Sequence, residues 1–254
     1  MLDSAEAQRA LTMIDGVVLV TGGSRGIGRA IVEAAVAHGW TVAFTYRTGQ
    51  HEGRALSDAL KGKARAFALD LRDREAPAAL VKQIETEMGP ITGLVNNAAL
   101  LRESLLALTP DRDWDELMDV NLGGTFRCCR SVLPMMMHRR RGAIVNIASL
   151  SALRGVAGQS AYAASKAALL GLSRALARET GRRNIRVNVV LPGYVDTDMT
   201  QALPADTVKL LRAHECLPSG TSTGDVGNLV TFLLSDRARA ITGQVLSVDA
   251  GASA

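Results

Sequence analysis

Tyr162 and Lys166 stand four residues apart in the run Tyr162-Ala163-Ala164-Ser165-Lys166. On a helix, that spacing puts both side chains on one face. A nearby ammonium favours the tyrosinate, so the pair predicts a Tyr162 with a lowered pKa, able to give a proton near neutral pH. The chain has only three tyrosines, which makes the pairing less easily accidental, although a surface Tyr–Lys pair is the plain alternative. Ser149 follows the aliphatic run Ile144 to Ile147. Its hydroxyl is expected at the same sheet edge, where it can hydrogen-bond a substrate carbonyl. Otherwise Ser149 and Ser151 are ordinary loop residues.

A second constellation lies near the start. Thr21-Gly22-Gly23-Ser24-Arg25-Gly26-Ile27-Gly28 joins an aliphatic run to a helical pattern. Its G-x-x-x-G-x-G spacing is one residue longer than the usual dinucleotide fingerprint, but the physical logic is similar. Glycines permit a tight turn and close backbone approach, so a pyrophosphate can sit on the helix N-terminus. The same residues also spell G-x-S-x-G through Gly22, Ser24 and Gly26, the nucleophile elbow of serine hydrolases. That reading needs a serine in mid-chain and a histidine after a late strand. Here the motif follows the first strand, and the one late histidine, His214, falls in a helical or irregular stretch. There is no GK[ST], so a P-loop is excluded.

The elements that must hold these residues alternate along the chain. Strands are predicted at Val17 to Val20, Thr41 to Tyr46, Ala64 to Leu69, Gly93 to Asn96, Ala143 to Ile147, Ile185 to Leu191 and Gln244 to Val248. Helical periodicity fills the intervals at Gly26 to His38, Gln50 to Leu60, Arg74 to Met88, Asp113 to His138, Ser160 to Thr180 and Asp225 to Leu234. Seven strands alternating with helices predict an α/β fold: a doubly wound parallel sheet, Rossmann-like, covered by helices on both faces. No linker-like stretch or internal repeat occurs, so residues 1–254 are expected to form one domain, with an N-terminal extension at 1–13 and an irregular segment at 194–224. Ligands of such sheets bind outside the carboxyl ends of the strands.

The end of the second strand bears on which dinucleotide binds. An acidic residue there would hold the ribose hydroxyls of NAD; this chain reads Thr45-Tyr46-Arg47-Thr48. Arg47 and Arg25 are placed to pair with the 2′-phosphate of NADP, unless both are simply solvated charges. Asp70 and Leu71, at the end of the third strand, are placed for the adenine amino group, and a helix N-cap role for Asp70 is equally open.

Composition removes other classes. Apolar residues at 47% and charged residues at 21% allow a sizeable core and argue against disorder. Three Cys, two of them adjacent, make no disulfide framework, and four scattered His make a zinc site improbable, so no metal is expected and a reduced, cytoplasmic setting fits. Met1 to Met13 carries Asp3, Glu6 and Arg9 without an apolar core, unlike a secretory signal. No run approaches the roughly 18 apolar residues of a membrane span. The net charge of +4 comes from 29 basic against 25 acidic residues that mostly interleave, a poor basis for nucleic-acid binding. Only His138-Arg139-Arg140-Arg141 is a concentrated basic run.

The glycine loop, Asn96-Asn97-Ala98-Ala99, Asn121, Ser149, Tyr162 with Lys166, and Pro192-Gly193 follow the order and spacing of the short-chain dehydrogenase/reductase family. The resemblance spans about Gly16 to Gly251. Within the family the chain looks most like the 3-oxoacyl-[acyl-carrier-protein] reductases. Supporting segments include Val120-Asn121-Leu122, Ile185-Arg186-Val187-Asn188-Val189, Asp196-Thr197-Asp198-Met199-Thr200 and Ile241-Thr242-Gly243.

The resemblance implies that NADPH reduces a 3-oxoacyl thioester, in fatty-acid or polyketide-type synthesis. Tyr162 would protonate the carbonyl oxygen, and Lys166 would hold the ribose hydroxyls and keep Tyr162 acidic. Ser149 would orient the carbonyl, while Asn121 would position a water that relays protons to Lys166. Asn97 and Ala98 would pack by the adenosine ribose, and Pro192, Gly193 and Thr197 would line the nicotinamide side. Arg140 and Arg183 match two arginines that meet an acidic acyl carrier protein beside the active-site entrance, though both also suit a helix C-terminus. A homotetramer built on the long helices and the last strand is implied as well.

The chain departs from the pattern in two places. Ala99 replaces a glycine, and Leu217-Pro218-Ser219-Gly220-Thr221 lacks the usual arginine, so the substrate-covering segment, 194–224, is atypical. The competing expectations are a reductase or dehydrogenase of a free ketone, sugar or steroid-like alcohol, and a dinucleotide-sensing interaction protein, for which Tyr162 and Lys166 together would have no use.

Overall fold

The computed structural model describes residues 16–198, 200 and 205–254, apart from the side chains of 205–207. The expected N-terminal extension lies outside the described residues, as do positions 199 and 201–204 of the expected covering segment.

Short aliphatic runs become strands because both of their faces can be buried. The strands are β1 (Val17–Val20), β2 (Thr41–Tyr46), β3 (Ala64–Ala68), β4 (Ile91–Asn96), β5 (Gly142–Ile147), β6 (Ile185–Pro192) and β7 (Val245–Val248). They form one seven-stranded sheet in the order β3-β2-β1-β4-β5-β6-β7, and each neighbouring pair is parallel. The helices are α1 (Gly26–Ala37), α2 (Gln50–Ala59), α3 (Ala76–Glu87), α4 (Asp111–Leu117), α5 (Gly124–Arg139), α6 (Ser151–Arg154), α7 (Ser160–Thr180), α8 (Ala205–Arg212) and α9 (Thr223–Leu234). None among the described residues is long and apolar enough to cross a membrane.

Side chains alternate across each strand, so the sheet feeds two cores. Val18, Val20 and Phe44 pack with Ile31 and Val32 of α1 and with Val226 and Val230 of α9. Val17, Leu19 and Ile144 pack on the other side with Leu80 and Ile84 of α3 and with Cys128 and Val132 of α5. Central strands β1, β4, β5 and β6 are buried at every residue, whereas the edge strands β3 and β7 are only partly covered.

Polar residues inside this core set registration. Asn96 of β4 donates to Asn146 Oδ1 of β5 at 2.8 Å, and Asn146 donates to Ser173 Oγ of α7 at 2.8 Å. Burying such amides is tolerable only when they are paired, so this bond chain holds α7 at one setting against the sheet. Arg186, buried in β6, donates to the carbonyls of Leu233, Leu234 and Ser235 at the end of α9.

The elements depart from the sequence reading in four places. The long helix expected over Asp113 to His138 begins at Asp111, and a π-helical turn, Met118–Gly123, interrupts it. Arg127, nearly buried, pins that turn by donating to Asp119 Oδ1 at 2.9 Å, to the Asp119 carbonyl at 2.8 Å and to the Leu71 carbonyl at 2.5 Å. The short helices α6 and α8 lie in stretches without a helical pattern in the sequence reading. Asp70 does not cap α3; its N-cap is Glu75, and Asp73 just before it accepts the Glu75 and Ala76 amides at 2.9 and 3.2 Å.

Candidate active site

The strand order turns at the β1–β4 boundary, where the two halves of the sheet diverge and leave a crevice over their carboxyl ends. The loop after β1 occupies it. Gly22 and Gly26 adopt φ of +66° and +54°, a region that disfavours other residues. At Gly28 a Cβ would fall 2.0 Å from the Gly22 carbonyl oxygen. The loop is tied to the end of β4: Asn97 Nδ2 donates to the Thr21 and Gly22 carbonyls, both at 3.0 Å, and Thr21 Oγ1 accepts the Asn97 and Ala98 amides at 3.0 and 3.1 Å. Asn97 therefore braces the glycine loop with its side chain while lining the same cavity.

Helix α1 starts from Arg25 without a side-chain cap and without an acidic residue in its first turn. Its free N–H groups and positive end make an anion site. Arg25 and Arg47 are exposed and line the same cavity, and neither forms an ion pair among the described residues. Asp70 also lines it, but Arg72 grips its carboxylate. That hydrogen bonding, with Arg47 adding a smaller effect, holds the Asp70 pKa at about 2. A tight backbone cradle, an uncapped helix and two unpaired arginines fit a phosphorylated dinucleotide. Ser24, buried in the loop, bonds no histidine among the described residues, which leaves the hydrolase reading without its base.

The cavity over the strand ends has a volume of about 930 Å³, large enough for a dinucleotide and a small substrate. Gly22, Ser24, Arg25, Gly26, Ile27, Gly28, Arg47, Asp70, Leu71, Asn97, Ala98, Ser149, Tyr162, Lys166, Pro192, Gly193 and Thr197 all line it. Asn121 does not. Its amide sits behind the wall, donating to the Leu100 carbonyl and Ser165 Oγ at 3.0 Å each and accepting the Leu100 amide at 2.8 Å. Ser165 in turn donates to the Tyr162 carbonyl at 2.7 Å. The π turn thus brings Asn121 to the 97–101 loop and the first turn of α7 together.

Tyr162 is 9% and Lys166 2% exposed. Lys166 Nζ donates to the Ile147 carbonyl at 2.7 Å and stands 5.8 Å from the Tyr162 ring centre. The expectation of a lowered Tyr162 pKa is corrected here. Burial pushes the phenol up to about 12, only partly offset by hydrogen bonding with Ser149. Burial also brings Lys166 down to about 8. Removing both groups from water costs more than one ammonium held by a backbone carbonyl recovers.

Arg140 and Arg183 lie outside this cavity. Arg140 ends α5 in a left-handed conformation just before β5, and Arg183 lies just before β6. Both sit at the amino edge of the sheet, opposite this chain's own cavity. They are neighbours, Arg140 donating to the Arg182 carbonyl at 3.0 Å.

The sequence reading missed several lining residues. Glu103, Ser151, Arg154 and Gln159 border the cavity, as do Leu211 and His214 of the expected covering segment. Position relative to Ser149 and Tyr162 was the only available signal for Ser151 and Gln159. Nothing local marked Glu103.

A family model described as Enoyl-(Acyl carrier protein) reductase matches residues 22–253. The chain belongs to the short-chain dehydrogenase/reductase family. The 3-oxoacyl-[acyl-carrier-protein] reductase FabG of Escherichia coli (strain K12) is 40% identical over 237 residues, 92% of this chain and 96% of that relative. The protein of the same name from Staphylococcus aureus (strain Mu50) is 37% identical over 236 residues, with the same coverage. Among solved structures, a blue fluorescent protein from a metagenomic library, in complex with NADPH, superposes with a TM-score of 0.87. It is 38% identical, covering 94% of this chain and 98% of its own.

Proposed function

We propose that this family member reduces a 3-oxoacyl thioester, carried on an acyl carrier protein, to the 3-hydroxyacyl form at the expense of NADPH. The observation that carries the reading is one cavity in which Tyr162, Ser149 and Lys166 face a glycine cradle flanked by Arg25 and Arg47.

Gly22 to Gly28 and the α1 N-terminus suit the pyrophosphate, and Arg25 and Arg47 the 2′-phosphate. Asp70 and Leu71 are assigned to the adenine. Pro192, Gly193 and Thr197 are assigned to the nicotinamide side, and Lys166 to the adjoining ribose. NADPH, when bound, supplies a hydride to the carbonyl carbon.

The chain supplies the rest. Ser149 donates to the carbonyl oxygen and orients it. Tyr162, with a pKa of about 12, stays protonated at neutral pH and can give that proton to the oxygen as negative charge develops there. Lys166, with a pKa of about 8, retains a proton to return to Tyr162. The Asn121 side chain holds Leu100 and Ser165, so a water-positioning role falls to its backbone carbonyl, which accepts from Thr125 Oγ1 at 2.9 Å.

Carrier docking follows if two copies pair through α5 and α7. Phe126 and Met135 on α5 are 46% and 41% exposed, and Ala164, Ala167, Ala168, Gly171 and Ala175 give α7 a flank of small residues. Antiparallel pairing of these helices inverts one sheet against the other. One protomer's amino edge, with Arg140 and Arg183, then lies beside its partner's cavity. Such arginines steer an acidic carrier. The partly covered edge of β7 is a second surface for a four-subunit assembly.

The test is NADPH oxidation with acetoacetyl-carrier protein, a small acetoacetyl thioester, and free ketone, sugar and steroid substrates. The thioesters are expected to give the highest kcat/KM, and Tyr162→Phe to abolish turnover without loss of NADPH binding. Turnover of free ketones alone would move the assignment to that class, and cofactor binding without any turnover would make the chain a sensor.

A further inference from the structure

Ser149 is also connected away from Tyr162, through a hydrogen-bonded run that reaches the surface. Ser149 Oγ lies 3.2 Å from Ser151 Oγ. Ser151 Oγ donates to Gln159 Oε1 at 2.8 Å, and Gln159 Nε2 donates to Glu103 Oε1 at 2.6 Å. The four residues come from the turn after β5, the start of α6, the residue before α7 and the loop after β4. The last two segments are joined directly, the Ser104 amide donating to the Gly158 carbonyl at 2.8 Å.

The outer end fixes the polarity of this run. A carboxylate accepts hydrogen bonds and cannot donate them, so Glu103 takes the amide N–H of Gln159. That turns Gln159 Oε1 toward Ser151, which gives it its only proton. The Ser151 oxygen is left as an acceptor facing the Ser149 proton, while the Ser151 amide donates to Ser149 Oγ at 3.2 Å. With the Gln159 amide reversed, Ser151 would instead donate to Ser149, and the Ser149 proton would be pushed onto the Tyr162 oxygen.

We propose that Glu103, Gln159 and Ser151 are positioning residues for carbonyl reduction. They hold the Ser149 proton on Ser151 and keep the Ser149 lone pairs toward Tyr162. A 3.2 Å O–H···O bond is long against the usual 2.7–2.8 Å, so an incoming carbonyl oxygen captures the Ser149 proton at little cost. Tyr162, while protonated, meanwhile donates to Ser149 and remains the acid; Ser149 donates back only to the deprotonated phenol, which is the interaction that partly lowers the Tyr162 pKa. The proposal rests on Ser149 being the carbonyl-orienting group proposed above.

A double-mutant cycle on the full chain tests it, with NADPH, a small acetoacetyl thioester, and activity expressed per NADPH site titrated by fluorescence. Glu103→Ala and Ser151→Ala should each lower kcat about 3- to 10-fold, leaving the substrate KM and the NADPH Kd within about 2-fold. The double variant should be no slower than the slower single one, because both act through the same hydroxyl. Multiplied effects, an unchanged kcat in Glu103→Ala, or a change confined to KM would overturn the chain as a positioning device. Ser149→Ala separates the two levels. If it loses turnover while the cycle is additive, the positioning chain fails and the role of Ser149 stands. If Ser149→Ala turns over normally, the underlying reading fails with it.

Discussion

Lys166 Nζ donates to the carbonyl of Ile147, the last residue of β5, at 2.7 Å. The strand that delivers Ser149 two residues later therefore also anchors Lys166, and one strand end sets the spacing of both groups. The ammonium is aimed at the backbone rather than the phenol, which leaves burial to dominate both pKa values.

That burial has a consequence for stability. The folded Lys166 pKa of about 8 lies below its ordinary 10.5, so folding disfavours the ammonium. The penalty is complete below about pH 8 and disappears as pH rises to 10.5, since the unfolded chain binds more protons across that window. Tyr162, raised from 10 to about 12, acts in the opposite sense, and its contribution falls between those values. Denaturant unfolding of wild type and Lys166→Met isolates the lysine. Wild type should gain about 3 kcal/mol relative to the variant between pH 7.5 and 10.5. A pH-independent difference would mean that the buried amine titrates normally.

Gly28→Ala tests the cradle. Its new Cβ would meet the Gly22 carbonyl at 2.0 Å and Asn97 Nδ2 at 2.5 Å, so the loop must shift away from the setting Asn97 holds. Overpacking of this kind costs about 1–3 kcal/mol. A lower Tm and an NADPH affinity weakened by at least about 10-fold are expected, read by thermal melting and fluorescence titration. Unchanged binding would place the pyrophosphate elsewhere.

The sheet was legible because aliphatic runs between glycine-bearing turns have few alternatives, and all seven predicted strands appear in order. The glycine loop, Tyr162 and Lys166 could be found because their spacing within one segment carries the geometry. Asn121, Asn97 and Glu103 show the limit. The π turn depends on Arg127 reaching Leu71 from another element. The Asn97 brace and the Glu103–Gln159 bond join residues 75 and 56 positions apart. The Tyr162 pKa is not legible in the sequence, because adjacency on a helix face reports a charge partner but not the burial that outweighs it.

The proposed preference for NADPH rests on Arg47. Arg47→Ala should weaken NADPH roughly 10- to 100-fold, the loss of a charge-assisted hydrogen bond, and leave NADH within about 2-fold. Isothermal titration with both dinucleotides measures this. Equal losses would show that Arg47 does not read the 2′-phosphate.

Carrier docking predicts a separation of substrates. Arg140→Glu combined with Arg183→Glu should raise KM for acetoacetyl-carrier protein about 10-fold or more, as like charges now face the acidic partner, and leave a small thioester unaffected. In the proposed pairing these arginines would act across protomers, so a monomeric variant made by charging the exposed α5 face should lose the same discrimination. Equal changes for both substrates would remove the carrier from the account.

The central claim is hydride reduction at the third carbon of an acyl thioester. The direct measurement is to incubate the enzyme with NADPH deuterated at the nicotinamide C4 and acetoacetyl-carrier protein, and to locate the label by mass spectrometry of the released acyl group. The account predicts one deuterium on C3 of a 3-hydroxyacyl product, formed by wild type and absent with Tyr162→Phe. Consumption of NADPH without label at C3, or a labelled product undiminished in Tyr162→Phe, would contradict it.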